Sequence, residues 1–166
     1  MSEHRVGLGI DLHRFSPDRP LVLGGVSVPH TAGLLGHSDA DVLTHAICDA
    51  LLGAAGLGDI GTHFPDSDEA YRGASSIGLL AEVVEKLAEA GFRPLNVDAT
   101  VIAESPKMTP HFAEMKARLA ETLRVAVDRV GLKATTSEGM GALGRGEGIA
   151  ALAVALIGRA QPDPCT

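Results

Sequence analysis

The chain has 166 residues, 45% of them apolar, which is ample for one core within a single domain. With 14 basic residues against 21 acidic ones the net charge is −7, which argues against the broad basic surface that drives non-specific nucleic-acid binding. Only 3% of residues are aromatic and none is tryptophan, so a stacking platform for single-stranded bases is not expected either. Cys48 and Cys165 have neither zinc-ribbon nor redox spacing. No uninterrupted apolar stretch approaches the roughly 18 residues of a membrane span. The expectation is a cytoplasmic protein with no membrane or nucleic-acid partner.

In chain order, residues 5–12 form an apolar run that reads as a strand. Leu21-Val22-Leu23 and Val26-Ser27-Val28 flank Gly24-Gly25, a pair that supplies the positive φ angles of a tight hairpin. From 39 to about 55 apolar residues recur at helical spacing, and Ser38 with Asp41 makes an aspartate variant of a capping box. Residues 56–68 read as a loop, and a second helix spans 76–90 with Gly91 as its stop. Residues 95–103 read as a strand, followed by a third helix that Thr109 caps, Pro110 opens and Leu123 closes. Residues 130–136 read as another strand. Alanines blur 149–157 between strand and helix, and a strand is chosen because the preceding strands need partners. The fold class is α+β, a mixed β-sheet with helices on one face, in a single domain over 1–157 with a flexible tail over 158–166.

Asp11 and His13 end the opening run and His45 lies inside the first helix, so two elements can aim one carboxylate and two imidazoles at one point. Three such ligands suit an open zinc site, because structural zinc usually has four protein ligands whereas catalytic zinc keeps a position for water or substrate. Either histidine alone reads equally well as an ordinary polar residue. Asp41, His45 and Asp49 recur every four residues on one helix face, where a flanking carboxylate can accept the imidazole's second N–H; the plain alternative is a solvated acidic stripe. His37 and Ser38 precede that helix and, with its first free amides, can meet a phosphate oxygen. Asp59, Gly61, Phe64 and Asp66 fall in the next loop, where carboxylates can accept hydrogen bonds from a polyol, although turn chemistry also explains them. Lys133, Thr135, Thr136 and Glu138 offer an ammonium, hydroxyls and a carboxylate, a set that positions phosphates and holds magnesium. The glycine-rich stretch around Arg145 matches neither a P-loop nor a dinucleotide fingerprint.

Taken together, six separated motifs resemble the methylerythritol cyclodiphosphate synthase family in order and spacing, across residues 5–157. They are Gly9-Ile10-Asp11-Leu12-His13-Arg14-Phe15, Gly36-His37-Ser38-Asp39-Ala40-Asp41, Gly58-Asp59-Ile60-Gly61 with Phe64-Pro65-Asp66, Ser105-Pro106-Lys107-Met108, Lys133-Ala134-Thr135-Thr136, and Gly144-Arg145-Gly146-Glu147-Gly148.

The resemblance implies a metal-assisted intramolecular phosphoryl transfer in the nonmevalonate isoprenoid pathway. Its substrate is a cytidine diphosphate derivative of methylerythritol 2-phosphate, and CMP is released. By position, Asp11, His13 and His45 resemble the zinc ligands, and Glu138 matches the carboxylate associated with Mg2+ or Mn2+ on the substrate diphosphate. His37 and Thr136 match the residues that hold the phosphates through the transition state, with Ser38 beside them. Asp59, Gly61, Phe64 and Asp66 correspond to the methylerythritol side; Ala103, Pro106, Lys107, Met108 and Thr135 correspond to the cytidine and α-phosphate side. The resemblance further implies a homotrimer with sheets packed around its threefold axis and active sites between subunits. Arg145 resembles the residue facing a central cavity that holds an isoprenoid diphosphate in some members, but Ala142 and Ile10 stand where aromatic residues are frequent.

Overall fold

Alternation along the first strand divides the molecule into two faces. The computed structural model describes residues 3–160. In chain order they form β1 (His4–Ser16), β2 (Leu21–Leu23), β3 (Val26–Val28), β4 (Gly33–Leu34), α1 (Val42–Ala55), α2 (Ile60–His63), α3 (Ser76–Glu89), β5 (Phe92–Ile102), α4 (Phe112–Leu123), β6 (Val130–Thr135), α5 (Gly141–Gly144) and β7 (Gly148–Arg159). One five-stranded sheet has the order β4-β1-β7-β5-β6, with β5 and β6 parallel and the other neighbours antiparallel. The mixed α+β sheet expected from the sequence is therefore present. Of the expected tail, residues 161–166 lie outside the described residues, whereas Gly158 and Arg159 extend β7 by pairing with His4 and Phe92 on the flanking strands.

Because side chains on a strand alternate between faces, Gly7 and Gly9 of β1 point toward α1 while Val6, Leu8, Ile10 and Leu12 point away from it. Ala151, Ala153 and Ala155 of β7 pair with Asp11, Gly9 and Gly7 and are buried on the same side. On α1, Ala46 and Ala50 complete the seam, whose backbones approach so closely that a Cβ on Gly7 would stand 1.9 Å from the Ala50 carbonyl oxygen and one on Gly9 2.0 Å from that of Ala46. Helix α1 is buried nearly all round, since α3 packs against its other side and α3 in turn meets α4. The opposite face is open: Val6, Leu8, Ile10, Leu12 and Val154 are between 43% and 66% exposed.

Asp41 ties the hairpin to α1. Its carboxylate is fully buried and accepts from the Gly24 and Gly25 amides at 2.9 and 2.7 Å, from the Thr44 amide at 3.0 Å and from the Thr44 hydroxyl at 2.7 Å. Gly24 and Gly25 have φ of 56° and 72°, as the tight β2–β3 turn requires. Since Asp41 is itself the N-cap, the helix begins at Val42 rather than 39, and the Ser38 hydroxyl accepts from the Ala40 amide instead of sharing a capping box. Other differences are local. The expected loop 56–68 contains α2, capped by Asp59 through the Thr62 amide at 2.8 Å. Thr109–His111 is a 3-10 turn, so α4 starts at Phe112 without Thr109 as its cap and ends at Leu123 as expected.

Gly9→Ala is expected to lower stability by roughly 1–3 kcal/mol or more, the usual range for overpacking. Urea unfolding checks it, and an unchanged midpoint would contradict the close seating of α1 on β1.

Candidate active site

The seam opens where β1 passes the first turn of α1, and three ligand atoms meet there. Asp11 and His13 occupy the helix-facing positions after Gly9, and His45 belongs to the first turn of α1. The Asp11 Oδ2 atom lies 3.0 Å from His13 Nε2 and 3.1 Å from His45 Nδ1, and one ligand atom from each residue falls within 4.8 Å of the others. Burial by itself would raise the Asp11 carboxyl pKa, but hydrogen bonds and charge from His13 and His45 outweigh it and hold it well below the usual carboxylate range. For His13 burial works downward, and the hydrogen bond and charge of Asp11 outweigh it, so the imidazole sits above its ordinary value.

The donor set fits a divalent metal. His13 Nδ1 is 2.6 Å from the Leu35 carbonyl oxygen, which can only accept, so that nitrogen carries a proton, and Nε2, hydrogen-bonded to Asp11 at 3.0 Å, is the nitrogen that would offer its lone pair to a metal. His45 Nε2 is 2.8 Å from the Ser76 hydroxyl and 3.2 Å from that of Ser38, leaving Nδ1 on the Asp11 side. A carboxylate with two imidazoles, each anchored through its outer nitrogen, is the arrangement that metal-binding histidines adopt.

The carboxylates expected to orient His45 do something else. Asp41 is consumed by the hairpin and Thr44, and Asp49 Oδ1 accepts from the Ile60 amide at 2.7 Å, pinning the start of α2. Nor is the end of α1 free for a phosphate, because Asp41 caps it and Val42, Leu43 and Thr44 are inaccessible. Ser76, 31 residues further along than His45, is a neighbour that helical spacing could not reveal.

A cavity of about 430 Å³ opens above the three ligands and takes in His37, Ser38, Gly61, Phe64 and Asp66. His37 is held at the rim through Nε2, 3.1 Å from the Asp68 carbonyl oxygen. Phe64 is buried edge-on against Tyr71, with ring centroids 5.3 Å apart. Asp59 lies beside this wall but turns its carboxylate to the Thr62 amide and hydroxyl at 2.8 and 2.7 Å; the Thr62 hydroxyl first, then its amide, hold the Asp59 pKa down.

Ala103, Pro106, Lys107, Met108, Thr135, Thr136, Glu138 and Arg145 do not line this cavity. Ala103, just past β5, donates its amide to the Thr135 carbonyl oxygen at 3.0 Å, which brings the β5 and β6 ends together. From β1 to β6 the sheet counts three strand steps, through β7 and β5, or about 14 Å at the usual spacing. Beyond β6, the Thr136 hydroxyl donates to Glu138 Oε1 at 2.8 Å, and Glu138 adopts a left-handed φ of 53°. Glu104, not singled out from the sequence, accepts from the Ser137 amide at 3.0 Å and hydroxyl at 2.9 Å and so holds the turn that presents Thr136 and Glu138. Lys133 is committed to both Asp98 carboxylate oxygens at 2.6 and 2.5 Å, Arg145 pairs with Glu147 at 2.6 Å, and the Met108 side chain is in the core.

The profile of the YgbB family matches residues 4–158. A 2-C-methyl-D-erythritol 2,4-cyclodiphosphate synthase of Thiobacillus denitrificans is 59% identical over 159 residues, covering 96% of this chain and 99% of its own. Among solved structures, the bifunctional IspDF of Campylobacter jejuni superposes with a TM-score of 0.93 at 43% identity, over 97% of this chain and 44% of that one. A 2C-methyl-D-erythritol-2,4-cyclodiphosphate synthase in a CDP-bound form superposes with a TM-score of 0.84 at 39% identity, over 92% of this chain and 99% of that one.

Zinc present at a hundredfold excess over its dissociation constant is expected to stabilise the wild-type fold by about 2.7 kcal/mol. His45→Ala is expected to fold and to lose this increment. Thermal unfolding with and without zinc checks both, and equal stabilisation of the two proteins would remove His45 from the ligand set.

Proposed function

The chain belongs to the YgbB family, and from that premise we propose that it converts 4-diphosphocytidyl-2-C-methyl-D-erythritol 2-phosphate to 2-C-methyl-D-erythritol 2,4-cyclodiphosphate and CMP in the nonmevalonate (MEP) route to isoprenoid precursors. The substrate's 2-phosphate oxygen attacks the β-phosphorus of its own diphosphate, the bond from that phosphorus to the CMP oxygen breaks, and CMP leaves. This makes the chain a cyclising phosphorus–oxygen lyase. The observation that carries the reading is the convergence of Asp11, His13 and His45 below a cavity that also holds His37.

An intramolecular attack needs no nucleophile from the protein. The protein must fold the substrate so that its two phosphate groups meet, and stabilise the charge that develops between them. When bound, zinc at Asp11, His13 and His45 and Mg2+ or Mn2+ at Glu138 supply Lewis-acid polarisation of the diphosphate. His37, with Ser38 beside it, and Thr136 donate hydrogen bonds to phosphate oxygens, where aligned donors stabilise the transition state. Asp59, Gly61, Phe64 and Asp66 hold the methylerythritol end. Ala103, Pro106, Lys107, Thr135 and the Met108 main chain hold the α-phosphate and cytidine; a cytidine nucleotide as ligand is supported by the relative with CDP bound.

Two groups of contacts three strand steps apart on one sheet serve a single substrate if they come from different subunits. The active site is accordingly placed between neighbours in a homotrimer, whose threefold packing of sheets covers Val6, Leu8, Ile10, Leu12 and Val154. A cytoplasmic setting accords with Cys48, a buried free thiol.

With zinc and magnesium, phosphorus NMR is expected to show CMP and the cyclic diphosphate forming together; CMP with an uncyclised sugar phosphate would instead mark a phosphodiesterase. His37→Ala is expected to keep zinc and lose about 10²-fold or more in turnover at saturating substrate, the scale of one lost transition-state donor. Subunits carrying His37→Ala and Thr136→Ala, unfolded together and refolded as mixed trimers, are expected to regain about a quarter of the intact sites by random assembly. No recovery in confirmed mixed trimers would place each site within one subunit.

A further inference from the structure

We propose that Ser76 and Asp39 form a hydroxyl–carboxylate relay that fixes the tautomer and orientation of His45, making both of them positioning residues for the metal. The proposal rests on the reading of Asp11, His13 and His45 as a metal site and extends it to the groups behind His45.

Each proton in the relay has one place to go. The Asp39 carboxylate takes Ser76 at two points: Oδ1 accepts the Ser76 hydroxyl proton and Oδ2 accepts the Ser76 amide at 2.9 Å. With its only proton committed, the Ser76 oxygen offers lone pairs alone to His45 Nε2, 2.8 Å away. Nε2 must therefore be an N–H nitrogen, and Nδ1, 3.1 Å from Asp11 Oδ2, is the nitrogen whose lone pair a bound metal would take in place of its hydrogen bond to that carboxylate. Ser76 has no exposed surface, so bulk water does not replace it.

Ser38 does not do the same work. Its hydroxyl is further from His45 Nε2, at 3.2 Å, and no described acceptor takes its own proton. It can turn either as donor or as acceptor and so permits both tautomers. Discrimination comes from Asp39, through Ser76. The relay also joins α3 to the site, because Ser76 is the first residue of that helix.

Zinc affinity of the full-length protein, measured by competition with a chromophoric chelator, tests the relay. Ser76→Ala is expected to weaken zinc binding about 10–100-fold, the range for lost partners of metal-binding histidines. Ser76→Thr, which keeps the hydroxyl, is expected to restore much of it. Asp39→Asn is expected to weaken binding as well, and the double variant Ser76→Ala with Asp39→Asn to bind no worse than the weaker single one. Unchanged affinity in folded Ser76→Ala overturns the relay, as do fully additive losses. Should Ser76→Ala not fold, nitrogen NMR of the zinc-loaded wild type decides: a protonated Nε2 on His45 supports the relay and zinc bound through Nε2 overturns it. Wild-type protein that takes up no zinc would overturn the metal reading itself, a result distinct from a wild type and Ser76→Ala that bind zinc equally.

Discussion

The close approach of β1 to α1 is the constraint on which the site depends. Gly7 and Gly9 are spaced two apart, so both face the helix, and any side chain on either would run into the Ala50 or Ala46 carbonyl. Asp11 and His13 continue the same alternation, which puts them on the helix side as well. The narrow seam thereby brings Asp11 Oδ2 on the strand within 3.1 Å of His45 Nδ1 on the helix. A wider, side-chain-filled layer is the ordinary way to pack a helix on a sheet, and it would hold the strand and helix ligands further apart.

Acidic residues near the site divide into those that face its ligands and those that hold its frame. Asp11 belongs to the first group. Asp39, Asp41, Asp49 and Glu104 belong to the second, each accepting from a backbone amide at a junction: Asp39 from the start of α3, Asp41 from the β2–β3 turn, Asp49 from the start of α2 and Glu104 from the turn after β6. Burial raises the carboxyl pKa of Asp41 even against its hydrogen bonds and raises that of Asp49 as well. Such carboxylates trade solvation for rigidity, and a site that must hold a phosphate chain through cyclisation depends on fixed donors.

Much of the site was legible in the sequence because local rules apply to it. Asp11 and His13 lie two apart on a strand, His45 lies on a strongly patterned helix, and Gly24-Gly25 can hardly be other than a turn. Helical spacing misled at Asp41 and Asp49, since it specifies which residues share a face and not what that face meets. Ser76 escaped notice because its contact with His45 crosses between helices, and Glu104 because a lone acidic residue before Ser-Pro carries no periodic signal. Helix α1 began later than its apolar pattern implied, for the cap that ends a helix is a matter of single hydrogen bonds.

By itself the sequence determined the family, the three long helices and the trio that could hold a metal, because motif spacing and periodicity are properties of a chain read locally. Only the tertiary structure decided which face of β1 is which. Period-two alternation says that Gly7 and Gly9 oppose Val6, Leu8, Ile10 and Leu12, and it would be natural to bury the larger set. The helix instead lies on the glycines, where backbone contact is possible, and the larger apolar residues are turned outward. Tertiary structure also decided that Thr135, Thr136 and Glu138 lie across the sheet from the metal ligands, since strand order comes from long-range pairing that no local pattern encodes.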